Sequence, residues 1–297
     1  MGTIHFEIDD HLKEQTAHRT VDLPIACYHT SIKENSNGYI PLHWHDELQF
    51  VVVTNGKVRF HVNNETVIVH EKNGVFINSG SLHMAESLPH LNSRYICLNV
   101  DPSFILPQEL FATYVSPYIQ ATNLPYLDIC ADEGWGKNII DCTLSIHRSI
   151  EEQPPYYEID VTTKMVAIWK LLISNGLRLE YDQNKMMQNR RVKGMLQWIH
   201  SHFGENISLD DIAKAGQLSR SECCRYFKRM LKTSPLQYVT DYRIQKSLPL
   251  LQQPNATVTD VAYQVGFNST SYFIARFRKV MNMTPLAYKK SKLKDFH

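Results

Sequence analysis

Long apolar runs are missing from this sequence. No stretch approaches the roughly 18 consecutive apolar residues that a membrane-spanning helix needs, and no charged-then-apolar export signal opens the chain. The expectation is a cytosolic protein without a membrane partner. Paired cysteines are missing as well. The six cysteines, at positions 27, 97, 130, 142, 223 and 224, form no CxxC unit, and four of them sit inside apolar or helical patterns. They read as buried, reduced thiols rather than a disulfide framework. No Ser/His/Asp order, phosphate-binding loop or paired-carboxylate arrangement rises above chance.

Net charge is nearly absent, at +1 over 297 residues, but this hides a division. Up to Gln188 the chain carries 13 Lys and Arg against 23 Asp and Glu, a net of −10; the remainder carries 18 against 7, a net of +11. The length suits two domains. The asymmetry suggests that the second half meets a polyanion, the plainer alternative being two solvated domains of unlike charge.

The basic half repeats itself. "DIAKAGQLSRSECCRYFKRMLKTSPLQYV" (211–239) and "DVAYQVGFNSTSYFIARFRKVMNMTPLAYKK" (260–290) align from Ser219 onward at a constant offset of 50. Cys223 meets Phe273, Phe227 meets Phe277, Met230 meets Val280, Pro235 meets Pro285 and Tyr238 meets Tyr288. Each copy reads as a short helix, a turn and a second helix. Ser208 caps the first copy, with Asp210 and Asp211 in the first turn; Thr257 or Thr259 caps the second. Gly216 and Gly266 are expected at the sharp corners. In the second helices, the apolar positions 223, 227, 230, 231 and 273, 277, 280, 281 form one buried stripe. Asn282 suits a left-handed helix end.

The opposite stripe carries Arg220, Ser221, Cys224, Arg225, Lys228 and Arg229 in the first copy. In the second it carries Thr270, Ser271, Ile274 and Ala275, with Arg276, Arg278 and Lys279 behind. Helix-turn-helix units lay such a face in the DNA major groove. Arg225 can clamp a guanine bidentately, while Lys228 and Arg229 lie nearer phosphates. A helical bundle with a solvated basic face is the bland alternative, but two copies in a domain of net +11 favour double-stranded DNA. The second copy, with its V-G-F, S-Y-F, F-R-K and T-P-x-x-Y elements, resembles the signature of the AraC/XylS family of bacterial transcription regulators, over about residues 190–290. The resemblance implies two helix-turn-helix units joined by a linker helix at about 235–251. It also implies base contacts from Ser221 and Arg225 in one unit and from Thr270, Ser271 and Ala275 in the other. Lys232 and Asn282 stand where the family usually has glycine, and Pro249 should kink the linker helix.

In the acidic half, residues 20–105 read as short strands suited to a small β-barrel or sandwich. "TNGK" (54–57) and "EKNG" (71–74) are expected hairpin turns. Residues 133–176 change period to two amphipathic helices, split at Pro154-Pro155 and closed by Gly176. Their apolar edge of Ile168, Leu171 and Leu172 suits either a core or a dimer contact. Within "PLHWHDELQF" (41–50), His43, His45, Glu47 and Gln49 share one strand parity and can all look into one interior. Trp44, at the opposite parity, is expected outside, against the helices. The segment resembles the cupin fold, the usual sensory domain of the family. His43 and His45 match its first motif, Gly56 that motif's closing glycine and His83 the third histidine; Gln49 replaces the motif's glutamate, and Asn78 a proline. Without that carboxylate a catalytic iron or manganese centre is disfavoured, although three histidines can still hold zinc.

The fold expected is therefore α+β in two domains: a cupin-like barrel with dimerisation helices (1–185), then an all-α double helix-turn-helix domain (186–297, units at 208–232 and 258–282). The function expected is a homodimeric transcription regulator. It would be an activator able to engage RNA polymerase and to respond to a small polar effector such as a sugar, bound by His43, His45, Gln49, Asn78, His83 and Tyr95, with Asn99 a further candidate. No metal, cofactor or catalytic residue is assigned. A cupin enzyme tethered to DNA-binding units and an effector-independent DNA binder are the alternatives.

Overall fold

The structure is a computed structural model and describes residues 8–9, 12–34, 38–88 and 91–294. The chain divides into two compact units, Met1–Met186 and Met187–His297.

In the first unit the strands are β1 (Ile25–Ser31), β2 (Tyr39–His43), β3 (Leu48–Asn55), β4 (Lys57–Val62), β5 (Glu65–His70), β6 (Gly74–Ile77), β7 (His83–Ser87), β8 (Arg94–Val100) and β9 (Tyr126–Ile129). They form two antiparallel sheets, ordered β1-β8-β3-β6-β9 and β2-β7-β4-β5. A 3₁₀ turn (Pro102–Phe104) and helices α1 (Gln108–Tyr114) and α2 (Ser116–Gln120) lead to β9; α3 (Gly134–Glu152) and α4 (Tyr157–Ile173) follow. On β4, Val58, Phe60 and Val62 are buried while Lys57 is exposed, the alternation of a strand with one face inward. Leu48–Val53 on β3 is buried throughout, because β3 sits between β8 and β6 with the helices on its other face. Val51, Val53, Phe60, Val75 and Ile77 fill the interior between the sheets. Phe50, Val52, Phe76 and Leu98 face outward and pack with Ile168, Trp169 and Leu172 of α4. The apolar edge of α4 thus belongs to the core.

Two expected hairpins are corners. β3 pairs with β6 and β8, whereas β4 pairs with β5 and β7, so the chain changes sheets at "TNGK" and returns at "EKNG". Gly56 takes φ +75° but Asn55 stays negative, which is not a type I′ turn. The corners lie side by side, Lys72 N donating to Val53 O at 2.8 Å and Glu71 N to Gly56 O at 3.0 Å. The short hairpin is at Asn63-Asn64, joining β4 to β5. Trp44 meets the N-terminal segment: its backbone N–H donates to Leu12 O, its carbonyl accepts from Glu14 N, and Lys13 Nζ stands 5.2 Å over its ring.

The second unit contains most of α5 (Gln183–His202), then α6 (Leu209–Ala215), α7 (Arg220–Leu231), α8 (Pro235–Leu251), α9 (Val258–Gln264), α10 (Thr270–Met281) and α11 (Pro285–Lys294). Ser208 and Ser219 each close a capping box, and Thr257, not Thr259, caps α9. Lys232 and Asn282 end α7 and α10 in the left-handed region, at φ 55° and 56°. In the first corner the left-handed residue is Gln217 (φ 53°); Gly216 has φ −88°. In the second it is Gly266 (φ +88°). Pro249 lies in the last turn of α8, three residues before its C-cap Gln252, so it does not break the helix midway.

Candidate functional site

The buried stripes of α7 and α10 fix which side faces solvent. Cys223, Phe227 and Met230 of α7 and Phe273 and Phe277 of α10 are buried. That leaves Arg220, Ser221, Arg225, Lys228 and Arg229 exposed on α7, with Cys224 half-buried. On α10, Ser271, Ile274, Ala275, Arg278 and Lys279 are exposed and Thr270 is half-buried. Arg225 is well placed to reach a ligand: its side chain is 74% exposed, with Glu222 at 3.8 Å beside it, and a pair this loose in solvent holds the guanidinium weakly. Arg220 forms a two-pronged pair with Asp210, which ties α7 to the start of α6, and Arg229 donates to Gln188. Arg276 corrects the sequence reading. Its side chain is 13% exposed and donates to Asp241 Oδ1 at 2.7 Å, so it is a strut between α10 and α8, not a DNA contact.

The second site lies inside the barrel. His43 on β2 and His83 on β7 are register partners, and the ladder shifts between Ile40 and His43. That irregularity reverses the parity, so Ile40 and His43 are both buried. His45 lies two residues beyond the end of β2. One ring nitrogen from each of His43, His45 and His83 lies within 4.8 Å of the others. All three residues are about 2% exposed. Each Nδ1 meets a backbone carbonyl: His43 that of Pro41 at 2.7 Å, His45 that of Glu47 at 3.1 Å, His83 that of Ser81 at 2.8 Å. A carbonyl only accepts, so each Nδ1 carries the proton and each Nε2 presents a lone pair. Burial, and then the neighbouring histidines, hold the pKa of His43 and of His45 well below the ordinary imidazole value, so both rings are neutral. Among the described residues, His45 Nε2 is buried with no hydrogen-bond partner.

Two further groups enter from the N-terminal segment. Glu14 Oε2 lies 3.5 Å from His43 Nε2 and 3.2 Å from His18 Nε2, with both the Glu14 and the His18 side chain at most 4% exposed. His18 also meets Asn99 Nδ2 at 3.1 Å. Gln49, register partner of Asn99, donates to Cys97 Sγ at 2.8 Å and leaves its Oε1 buried and unpartnered among the described residues. Burial lifts the Cys97 thiol to about 12, so it stays protonated. Polar groups thus gather at one end of an otherwise apolar interior.

One residue read as an effector contact is placed elsewhere, and another lies among the apolar side chains of the same interior. The amide of Asn78 donates to Tyr118 O at 2.8 Å and Leu124 O at 2.9 Å, stitching the end of β6 to the loop before β9. Tyr95 stacks edge-on against Phe60 among Val51, Val53 and Val58, four strand positions from Asn99. Glu14 and His18 were missed because their segment has no periodicity to read, only isolated bridges. The donor set of three imidazoles and a carboxylate suits a divalent transition ion. His43, His45, His83 and Glu14 are the residues that would hold it.

Comparison with known proteins bears on both units. Residues 27–108 match the AraC-like ligand binding domain and residues 212–291 the helix-turn-helix domain. The HTH-type transcriptional regulator YdeC of Bacillus subtilis (strain 168) is 59% identical over 286 residues, 96% of this chain and 98% of the relative. The chain belongs to the AraC family of transcription regulators. The HTH-type transcriptional activator RhaS of Escherichia coli is 22% identical over 82% of this chain and 86% of its own length. Among solved structures, an apo single-residue variant of ToxT from Vibrio cholerae covers 89% of this chain and 96% of its own, at 17% identity and a TM-score of 0.43. A regulator of Chromobacterium violaceum with an AraC-type DNA-binding domain covers 35% of this chain and 92% of its own, at 27% identity and a TM-score of 0.33. This family member therefore pairs a ligand-binding fold with a DNA-binding one. None of its described helices is long and apolar enough to cross a membrane.

Proposed function

We propose that this regulator binds operator DNA as a homodimer through the exposed stripes of α7 and α10, and that a small polar effector inside the barrel sets its activity. The observation that carries the effector site is the pair of buried, unpartnered acceptors, His45 Nε2 and Gln49 Oε1, at the polar end of the interior. A buried polar atom without a partner costs about 1–3 kcal/mol; a hydroxyl-rich ligand such as a sugar offers a donor to Gln49 Oε1, and His45 Nε2 is left to a second polar group of the ligand or to an ion. Effector binding would act by population shift, holding the protein in the form whose operator affinity differs. Activation, with contact to RNA polymerase, is supported by the likeness to RhaS, whose name is that of an activator. On the DNA side, Ser221 and Arg225 read bases and Lys228 holds phosphate, while Thr270, Ser271 and Ala275 make the shorter contacts of the second unit.

The test screens small hydroxylated metabolites for thermal stabilisation of the full chain and carries each hit into operator binding. A ligand at about 100 times its Kd adds about 2.7 kcal/mol of stability. A true effector stabilises wild type, changes its operator affinity, and does neither in Gln49→Leu. Hits that stabilise without touching operator affinity or reporter expression would rule the sensory role out. In the same assay Arg225→Ala loses about 1–3 kcal/mol of preference at one base position, whereas Lys228→Ala weakens all sequences alike. Identical behaviour of the two variants across operator mutants would reject this docking of α7.

A further inference from the structure

We infer that the polar end of the barrel is a divalent metal site in which His43, His45 and His83 supply nitrogen ligands and Glu14 supplies the carboxylate. Gln49 stands where the cupin motif has its acidic ligand, and its amide is turned to Cys97. The N-terminal segment brings a carboxylate to the same place by another route. Glu14 Oε2 is 3.5 Å from His43 Nε2, close to the roughly 3.0–3.4 Å that separates two ligand atoms bound at about 2.0–2.1 Å to one ion. The three histidine nitrogens, within 4.8 Å of one another, need to draw in by about 1 Å to meet the same bond lengths.

The surroundings are those of a ligand set rather than of three packed rings. Each histidine is oriented by an Nδ1–H to carbonyl bond on its far side, the arrangement that fixes ring tilt and tautomer around bound metals. His45 Nε2 has no hydrogen-bond partner among the described residues in a fully buried position, and an ion would satisfy its lone pair. His18 pairs with Glu14 at 3.2 Å and with Asn99, which orients the carboxylate as the carbonyls orient the rings. Three imidazoles and one carboxylate favour zinc, cobalt, nickel or ferrous iron over magnesium or calcium, which prefer all-oxygen sets. With Glu14 bound, the ion also ties the segment that pairs with Trp44 to the barrel mouth. This inference rests on reading the barrel end as a ligand site, but it does not require that the ligand control transcription.

The experiment uses the full chain, stripped with chelator and titrated with Zn²⁺ and Co²⁺. One equivalent of Zn²⁺ per chain is expected, with a rise in melting temperature, and Co²⁺ should give the visible ligand-field absorption of an imidazole-bound ion. His45→Ala loses both. Glu14→Gln weakens Zn²⁺ binding at least about tenfold while circular dichroism stays native, and His61→Ala, on the outer face of β4, binds as wild type. If His45→Ala fails to fold, wild-type stoichiometry and the Glu14→Gln shift decide alone. A folded wild type that takes up no stoichiometric ion, or binding that survives both ligand variants, overturns the site. Operator affinity measured with and without Zn²⁺ separates the two proposals: stoichiometric binding that leaves operator affinity unchanged keeps the metal site and removes its sensory role.

Discussion

His200 on α5 shows what burial does to a single titratable side chain. Its ring stacks on Tyr242 at 3.8 Å between centroids, its Nε2 meets Tyr238 Oη at 2.8 Å, and it is 2% exposed. Burial, with the Lys246 charge adding to it, lowers its pKa from 6.5 to about 3. The folded protein therefore holds a neutral imidazole where the unfolded chain takes up a proton below pH 6.5. The stability this contributes is fully present above pH 6.5 and is lost as pH falls towards 3, at about 1.4 kcal/mol per unit. Between pH 7 and 5 the loss through this residue is about 2 kcal/mol. Denaturant unfolding of wild type and His200→Gln at the two pH values checks it. The wild type should lose more on acidification than the variant, and equal losses would show that His200 does not titrate this way. At this scale the sequence is legible where a residue sits on a regular element. Strand parity marks His43, His45 and Gln49 as a group, but the structure brings them together otherwise, with His43 ending β2, His45 beyond it and Gln49 on β3; Glu14 and His18 reach the same place from a segment with no repeat to count.

The two helix-turn-helix elements close their corners identically, yet with different residues at the strained position. Leu218 N bonds Ala213 O, and Phe267 N bonds Ala262 O, each at 2.9 Å; the residue just before each donor, Gln217 or Gly266, is left-handed. Gly266 is held there by its surroundings, since a Cβ would stand 2.5 Å from Phe203 O and 3.0 Å from the Arg243 guanidinium. At Gly216 the backbone is ordinary, and a Cβ would stand 2.7 Å from Cγ and 2.8 Å from Sδ of the buried Met195, so a side chain but no backbone has to shift. Gly266→Ala should therefore cost about 2 kcal/mol or more, and Gly216→Ala about 1 kcal/mol or less. Chemical denaturation of the two variants ranks them, and equal losses would contradict the account. The sequence marks both corners but not which residue bears the strain, because the one-residue difference in corner length shifts the alignment. The barrel corners fail for a related reason. Asn-Gly announces a turn, but the partners of β3 and β4 are set by strands far along the chain. α1 and α2 left no trace because they bury no residue completely.

At the scale of the whole molecule, charge made the organisation readable before any element was placed. The same counts that give −10 up to Gln188 and +11 beyond it apply to the two compact units, because neither Met187 nor Gln188 is charged. Hydrophobic periods of 2 and 3.6 then separated a strand-rich unit from a helical one, which fixes the α+β class. The charge division also makes a quantitative demand on function. DNA binding that neutralises phosphates releases counterions, so log K falls linearly with log salt, with a slope near −0.9 per phosphate contacted. For the full chain on an operator duplex, affinity should fall by at least about tenfold between about 50 and 200 mM salt. Lys228→Ala should flatten the slope by about 1, since it removes one phosphate contact; Arg225→Ala, which removes a base contact, should leave the slope nearly unchanged and lower the affinity at every salt concentration. Fluorescence anisotropy across a salt series measures all three. A wild-type slope near zero would mean that the basic face does not meet the phosphates, and a flatter slope for Arg225→Ala than for Lys228→Ala would exchange the roles of the two residues.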